Sequence, residues 1–298
     1  MLLTEQDKGD RFILHSLFQK RRVNRATKEA FFYYEDQTLM IAQGKESYVV
    51  VSNDMAVGYP LFMDGEADFQ KFVTAISLLQ KKNIHIRTLW DIGANVGSIA
   101  IPALRRGFVQ KAVAFEPEEQ LMRLLRANAI LNGVDKQMHF HQVALGEVSS
   151  VVDLMMGPGN TGDYRICGRR LNDDTMGEEE MIPQRVQMRP MDHFVQDFSV
   201  GATLLFMDIQ GYEGRALRGA KRIMNSSPPL VVEFWPYGMK RAESYPHLKE
   251  IICGGAYTCF ADLAADPPEF TPLAVKSLDA LYEKSGERSD WSTDILFV

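Results

Sequence analysis

Apolar and polar positions fall into two rhythms along this chain. Short apolar runs bounded by turn residues predict buried strands, and apolar residues recurring every three or four positions predict amphipathic helices. Runs at residues 84–92, 112–115, 138–145, 203–207, 230–232 and 294–298 are of the first kind. Residues 98–106, 117–130 and 213–224 are of the second, with Leu121, Leu124, Leu125 and Ile130 marking one helix face. From about residue 84 onward strand and helix alternate, the pattern of a parallel α/β sheet. Before it, residues 1–80 form an extension with a basic helical stretch, a strand at 48–52, a turn at 64–66 and an amphipathic helix at 69–79. Phe72, Ala75, Ile76 and Leu79 share one side of that helix. Such an extension can cover a substrate mouth or mediate dimerisation, and packing alone explains it equally well.

One turn carries specific chemistry. Asp91-Ile92-Gly93-Ala94-Asn95-Val96-Gly97 joins a strand to the helix beginning at Ser98. A glycine-lined turn of this kind lets backbone amides approach a nucleotide-like ligand closely. Glu116 follows nineteen residues after Gly97, at the end of the next apolar run. An acid there accepts the hydroxyl hydrogens of a ribose. Pro117 stops that strand, and Asn132-Gly133 closes the helix after it.

The same turn separates two cofactors. A dinucleotide requires Gly-x-Gly-x-x-Gly, so that the pyrophosphate touches backbone at the second glycine. Here a side chain stands at that point, and the Asp91 anion repels a pyrophosphate while attracting an ammonium or sulfonium. S-adenosylmethionine is therefore expected rather than NAD. The cofactor-binding candidates are Asp91, Gly93, Asn95, Gly97, Ser98 and Glu116, with Gln142 and Ala144 at the adenine edge and Asp208 at the methionine end.

Residues 203–207 run continuously apolar into Asp208, and residues 230–232 repeat the design into Glu233. Two buried parallel strands thus deliver carboxylates to the edge of the sheet where ligands bind. One is a candidate for the methionine ammonium, another for orienting or deprotonating an acceptor hydroxyl. His193 and His247 are candidate bases as well, because imidazole titrates near pH 7. The sequence does not choose among Asp208, Glu233, His193 and His247. Glu213 opens a helix, so capping explains it as well as function does. His139 and His141 are expected to be structural. Asp208 and Glu233 could share a hard cation with Asp192, but no clustered ligand set supports this and no metal is assigned. Phe234, Trp235 and Tyr237 fit a sugar-stacking wall and core packing equally.

Strands at 151–156 and 185–188 flank a long polar insertion, making residues 149–195 a hairpin-like candidate lid. Its acidic run, residues 173–180, is expected at a solvated tip.

These motifs, with Phe115-Glu116-Pro117, Ala144-Leu145-Gly146, Met207-Asp208-Ile209-Gln210-Gly211-Tyr212-Glu213, Val232-Glu233-Phe234 and the closing Ile295-Leu296-Phe297-Val298, resemble the FkbM family of S-adenosylmethionine-dependent methyltransferases. The resemblance runs from about residue 85 to the last residue. It departs at Gln210, where the family often carries Glu. It implies a Rossmann-like, doubly wound, seven-stranded sheet of the class I methyltransferase type over residues 81–298, with an antiparallel last strand. It also implies O-methyl transfer to a hydroxyl of a sugar or secondary metabolite. A non-catalytic S-adenosylmethionine-binding scaffold and, less favoured, an NAD-dependent oxidoreductase are the rival readings.

Composition narrows the partners. A net charge of -6 without a basic block argues against a nucleic-acid acceptor and for a small-molecule or glycan one. The basic run Lys20-Arg21-Arg22 with Arg25 is short and expected on a solvated helix face. No apolar segment reaches the roughly 18 residues of a membrane span, and the N-terminus lacks a signal-peptide core, so a cytoplasmic protein is expected. Cys167, Cys253 and Cys259 lack metal spacing and are expected as buried thiols.

Overall fold

The computed structural model describes residues 39–169, 176–284 and 290–298, together with Arg25, Lys28, Glu29 and Phe32. Lys20, Arg21, Arg22 and residues 173–175 lie outside the described residues. Strands β1 (Leu39–Gln43) and β2 (Ser47–Val51) form an antiparallel hairpin. The main sheet contains β3 (Thr88–Ile92), β4 (Lys111–Phe115) and β5 (Met138–His141). A second sheet is formed by β6 (Ala144–Leu145), β7 (Ser150–Met156), β8 (Arg165–Ile166) and β9 (Ile182–Arg189). The chain then returns to the main sheet with β10 (Thr203–Met207), β11 (Leu230–Phe234), β12 (Cys259–Asp262), β13 (Thr271–Pro272) and β14 (Thr293–Phe297).

The main sheet runs β13-β12-β14-β11-β10-β3-β4-β5. From β3 the chain winds outward through β4 and β5, then returns to β10 on the other side and continues to β11. The order reverses between β3 and β10, and at such a switch point a crevice opens beyond the carboxyl ends of the strands. β14 pairs antiparallel with both β11 and β12, as expected. The sheet has eight strands rather than seven. The addition is β13, two residues on the outer edge, where the missing N–H of Pro272 is tolerated.

Every residue of β3, β10 and β14 is buried. Successive side chains face opposite layers, so Leu89, Leu204 and Phe206 pack on one side while Trp90, Ile92, Leu205 and Met207 pack on the other. The first layer also takes in the N-terminal segment, since Phe72, Ala75, Ile76 and Leu79 of the helix Phe69–Lys81 join it. Two asparagines of the helix Glu119–Leu131 and its cap hold the β1–β2 hairpin. Asn128 Oδ1 accepts from Val49 N at 2.7 Å, and Asn132 Nδ2 donates to Ser47 O at 2.7 Å. They satisfy β2 backbone groups that an edge strand would otherwise leave unpaired.

Two expected elements are divided. The strand over residues 138–145 breaks at Gln142 and Val143, because Ala144 and Leu145 leave the main sheet to pair with β9. The helix over residues 213–224 becomes Glu213–Arg218 and Lys221–Met224. A Cβ at the intervening Gly219 would stand 2.1 Å from the Gly146 carbonyl oxygen, so the backbone makes a close approach there. Asp192 caps the second piece, its carboxylate accepting from Arg222 N at 2.9 Å and Ile223 N at 3.2 Å. Strands β7 and β9 pair antiparallel from Ser150↔Met188 to Met156↔Ile182. Of the three free thiols only Cys259 is buried; Cys253 is half-buried and Cys167 is exposed. Among the described residues no helix is long and apolar enough to cross a membrane.

Candidate functional site

At the switch point lies a cleft of about 1000 Å³, counting its open mouth. Asp91, Gly93, Asn95, Ser98, Glu116, Ala144 and Asp208 all line it. Strands β3, β4 and β10 supply its floor, the N-terminal segment adds Val57, Asp68 and Lys71, and the insertion adds Thr161, Gly162, Tyr164 and Ile166.

The glycine turn brings two strand ends into contact. Gly93 has φ +92°, and a Cβ on it would fall 1.9 Å from the Asp208 carbonyl oxygen. Asp91 is 2% exposed, and its Oδ2 accepts from Ala100 N at 3.0 Å, anchoring the helix start. Burial, with repulsion from Asp208 added, pushes its carboxyl up to about 7. Glu116 accepts from Asn95 N at 3.0 Å and from Glu118 N at 2.9 Å; burial likewise pushes it up to about 7. Asn95 itself has φ +48° and uses Oδ1 to accept from Val96 N at 2.8 Å. Asparagine is one of the few side-chain-bearing residues that tolerates this backbone region. Gly97 serves the helix rather than the cleft: a Cβ there would meet Ile101 and Leu125 side-chain atoms at 2.6 and 2.7 Å.

Beyond the glycine turn the cleft is lined by Asp68, Lys71, Asp208 and Asp294, while Glu213 and Glu233 lie outside the lining. Gln210 Nε2 donates to Asp208 Oδ1 at 2.8 Å and to Glu233 Oε2 at 2.9 Å. Burial raises the Asp208 carboxyl, and Lys71 partly opposes this. Burial together with repulsion from Asp208, Glu213 and Asp294 raises Glu233 well above the ordinary carboxyl range. Glu213 is fully buried, and its Oε1 accepts from Ile209 N at 3.1 Å and Gly211 N at 3.3 Å. Burial pushes it up to about 8. Lys71 Nζ lies 2.8 Å from Asp294 Oδ2 and 3.3 Å from Asp68 Oδ1. Burial works to lower its ammonium, but these two acids outweigh it and hold the group above its ordinary value.

Over this geometry the Methyltransferase FkbM domain matches residues 91–257, from Asp91 of the glycine turn past Asp208 and Glu233. The chain belongs to the FkbM methyltransferase family. Among solved structures, methyltransferase FkbM from Methylobacillus flagellatus KT is similar at 17% identity and a TM-score of 0.43, over 75% of this chain and 48% of that one. This chain thus spans about half the length of that relative. A precorrin-6y C5,15-methyltransferase from Geobacter metallireducens GS-15 is similar at 12% identity and a TM-score of 0.36, over 76% of this chain and 86% of that one. A tRNA m1G37 methyltransferase from M. jannaschii is similar at 10% identity and a TM-score of 0.40, over 88% of this chain and 54% of that one. No curated protein matches the chain.

Several sequence-named residues of this FkbM-family chain lie away from the cleft. His193 is exposed, its ring packed against Phe194 at 5.0 Å, on the turn Met191–Asp197. His247 sits on the helix Tyr245–Cys253 with Arg218 at 3.2 Å; burial and that cation lower its pKa. Gln142 is exposed where the chain changes sheets, and its neighbours Val143, Ala144 and Leu145 line the cleft instead. His139 and His141 both bind the Asp197 carboxylate, at 3.1 and 3.0 Å, outside the cleft. Phe234, Trp235 and Tyr237 are buried, and Arg165 packs over the Trp235 ring at 5.5 Å, so they are core beneath the insertion. Among the described residues no group of three or more His, Cys, Asp or Glu is arranged to hold a metal ion.

Lys71, Asp68, Asp294 and Val57 went unnamed by the sequence reasoning. Asp294, in the last strand, stands directly across the ladder from Glu233, a pairing that only the structure shows. Like charges in such a pair are unfavourable, which marks the position as one held for another reason.

Proposed function

We propose that this protein transfers a methyl group from S-adenosylmethionine to a hydroxyl of an uncharged small-molecule or glycan acceptor, such as a sugar or secondary metabolite. The observation that carries this reading is that Glu116 and Asp208 line one cleft from two strand ends, on either side of the Gly93 turn. The lining fits the cofactor. Glu116 would hold the ribose hydroxyls, and Phe115, Val143 and Leu145 would enclose the adenine. Asp91 and Asp208 would face the ammonium and sulfonium charges, which an acidic wall attracts. When bound, S-adenosylmethionine supplies an electrophilic methyl group attached to a sulfonium, and that group provides most of the driving force.

The residues of the chain then have two tasks. Tyr164, Ile166 and Tyr212 form the part of the lining that can orient an acceptor by apolar contact and hydrogen bonding. The Asp208–Glu233 pair accepts the hydroxyl proton, and carboxyls raised by burial and by each other are better bases than ordinary ones. Asp68, Asp91, Glu116, Asp208 and Asp294 outnumber Lys71 in the lining, which disfavours phosphorylated and nucleic-acid acceptors.

Calorimetric titration with S-adenosylhomocysteine, with NAD as the control, tests the reading. Micromolar binding of the first ligand alone, weakened roughly tenfold or more by Glu116→Gln, is expected. Preference for NAD, or no binding of S-adenosylhomocysteine, would overturn it. Transfer of labelled methyl groups to a panel of neutral glycosides then identifies the acceptor.

A further inference from the structure

We propose that the Asp208–Glu233 pair becomes a base only when a cationic methyl donor occupies the cleft: the positive charge expels a proton that the two carboxyls otherwise share, and the neutral product does not. This inference rests on the methyl-transfer reading above.

The arrangement begins with Gln210. Its single amide nitrogen donates to an oxygen of each carboxyl, 2.8 Å to Asp208 and 2.9 Å to Glu233, and so draws together acids from two neighbouring strands. Its backbone is left-handed, φ +56°, a strained conformation for a residue with a side chain. The surroundings hold it there. A Cβ on the next residue, Gly211, would stand 2.2 Å from the Gly238 backbone, and Ser244 Oγ donates to the Gly211 carbonyl at 2.5 Å. An amide brings two acids together without neutralising either. Two ionised carboxylates at this spacing repel, and the favoured state of such a pair keeps one proton between them.

The charges around the pair leave that proton in place in the free protein. Glu213 faces it from the helix Glu213–Arg218, Asp294 from β14, Asp68 from the turn before the helix Phe69–Lys81 and Asp91 from β3. Among the described residues Lys71 is the cation that acts on Asp208, and its ammonium is already engaged by Asp294 and Asp68. A further positive charge in the cleft supplies what the second carboxyl needs in order to ionise.

The chemistry then balances. An O–C bond to the methyl group forms, the S–C bond breaks with its electron pair going to sulfur, and the acceptor proton goes to the carboxyl pair. The positive charge lost at sulfur reappears as that proton, so the total charge of the cleft is unchanged. The pair is protonated again while neutral product is bound.

The test needs no acceptor. Calorimetric titrations near neutral pH, in phosphate and in Tris, count protons exchanged on binding, because the two buffers differ in heat of ionisation. The probes are sinefungin, in which an amine replaces the methyl sulfonium, and S-adenosylhomocysteine. Sinefungin is expected to release up to about one proton more per site than S-adenosylhomocysteine. That difference should fall by at least half in Glu233→Gln and in Asp208→Asn, either of which suffices should the other fail to fold. Gln210→Met should also reduce it while both probes still bind; a merely structural role for Gln210 would weaken both probes and leave the proton count unchanged. Equal proton release by the two probes in the wild type would overturn the inference. So would a difference that persists in both carboxyl variants, which would assign the proton to another acid such as Asp91 or Glu116. Failure of either probe to bind would instead remove the methyl-transfer reading on which the inference rests.

Discussion

Asn95 and Thr161 are joined by one side-chain amide that makes two hydrogen bonds, Nδ2 donating to the Thr161 carbonyl at 3.0 Å and to its hydroxyl at 3.2 Å. Thr161 in turn donates its backbone N–H and hydroxyl to the buried Asp54 carboxylate, at 3.1 and 2.7 Å. Asp54 also accepts from Gly58 N at 2.9 Å, and Met55 N donates to the Gly159 carbonyl at 2.9 Å. The glycine turn, the insertion and the N-terminal segment therefore meet at one point on the wall of the cleft.

Replacing Thr161 by Val keeps the shape and removes the hydroxyl. The Asp54 carboxylate then loses its shortest hydrogen bond inside the protein, a cost of about 1–3 kcal/mol. Thr161→Val is expected to lower Tm by several degrees and to weaken S-adenosylhomocysteine binding, because Asn95 keeps only its bond to the residue 161 carbonyl. Thr161→Ser retains the hydroxyl and should behave like the wild type. Thermal unfolding and calorimetry on the two variants distinguish these outcomes, and equal behaviour of Val and Ser would remove the hydroxyl from the account.

Arg106 fastens the N-terminal segment at a second point. Its guanidinium binds both Glu46 oxygens, at 3.0 and 2.6 Å, and Glu66 at 2.7 Å, and stacks over the Phe69 ring at 4.6 Å. Glu46 is 3% exposed, so Arg106→Ala leaves a buried carboxylate without its cation. Breaking such a pair costs about 3–5 kcal/mol, whereas the intact pair need not be net stabilising. The expected result is faster amide exchange and proteolysis across residues 39–66, with residues 203–234 of the main sheet protected as before. The double variant Arg106→Met with Glu46→Gln, which removes both charges, should recover most of the loss.

The strand ends were the legible part of this molecule. Asp91, Glu116, Asp208 and Glu233 each follow an apolar run and precede a turn, so local pattern alone puts them at the carboxyl edge of the sheet. The cleft wall made by Lys71, Asp68 and Asp294 was not legible, because it is assembled from a helix before the first core strand and from the last strand of the sheet. The sequence marks Phe72, Ala75, Ile76 and Leu79 as one side of that helix but says nothing of what stands opposite Lys71. The imidazoles misled for a related reason: His193 and His247 are near the carboxylate-bearing segments along the chain, but the fold turns one toward Phe194 and the other toward Arg218. The break after β5 had no local signal either, since it is imposed by the distant partner β9.

Glu213 links stability to pH. Its Oε1 holds the turn through Ile209 N and Gly211 N, while Oε2 is buried without a hydrogen-bond partner among the described residues. The unfolded chain loses this proton near 4.5 and the folded protein only near 8, so between those values the folded state binds more protons. Stability contributed by the proton is therefore full below the lower value and is lost as pH rises through the higher one. Asp91 and Glu116, both raised to about 7 by burial, act in the same direction. The ligand-free protein is expected to unfold at a lower temperature at about pH 8 than at about pH 5.5. Glu213→Gln, which carries no charge at either pH, should show a smaller drop. A wild-type Tm that rises with pH over this range would contradict the raised carboxyls.

Gly93→Ala tests whether the turn itself, rather than its side chains, builds the site. The φ of +92° is unfavourable for alanine, and the added carbon would fall 1.9 Å from the Asp208 carbonyl oxygen, a backbone atom fixed by β10 and unable to swing aside. Either the turn or the end of β10 must move, and both carry carboxylates that line the cleft. The variant is therefore expected to lose detectable S-adenosylhomocysteine binding even where it remains folded, with a stability cost of a few kcal/mol. Gly107→Ala is the matched control: it also replaces a positive-φ glycine, φ +75°, but nothing lies within 4 Å of the new carbon. It carries the conformational cost without the collision. Circular dichroism to establish folding, followed by calorimetry on both variants, separates the two effects; equal binding by the two would mean that the contact between the β3 turn and β10 does not shape the cleft.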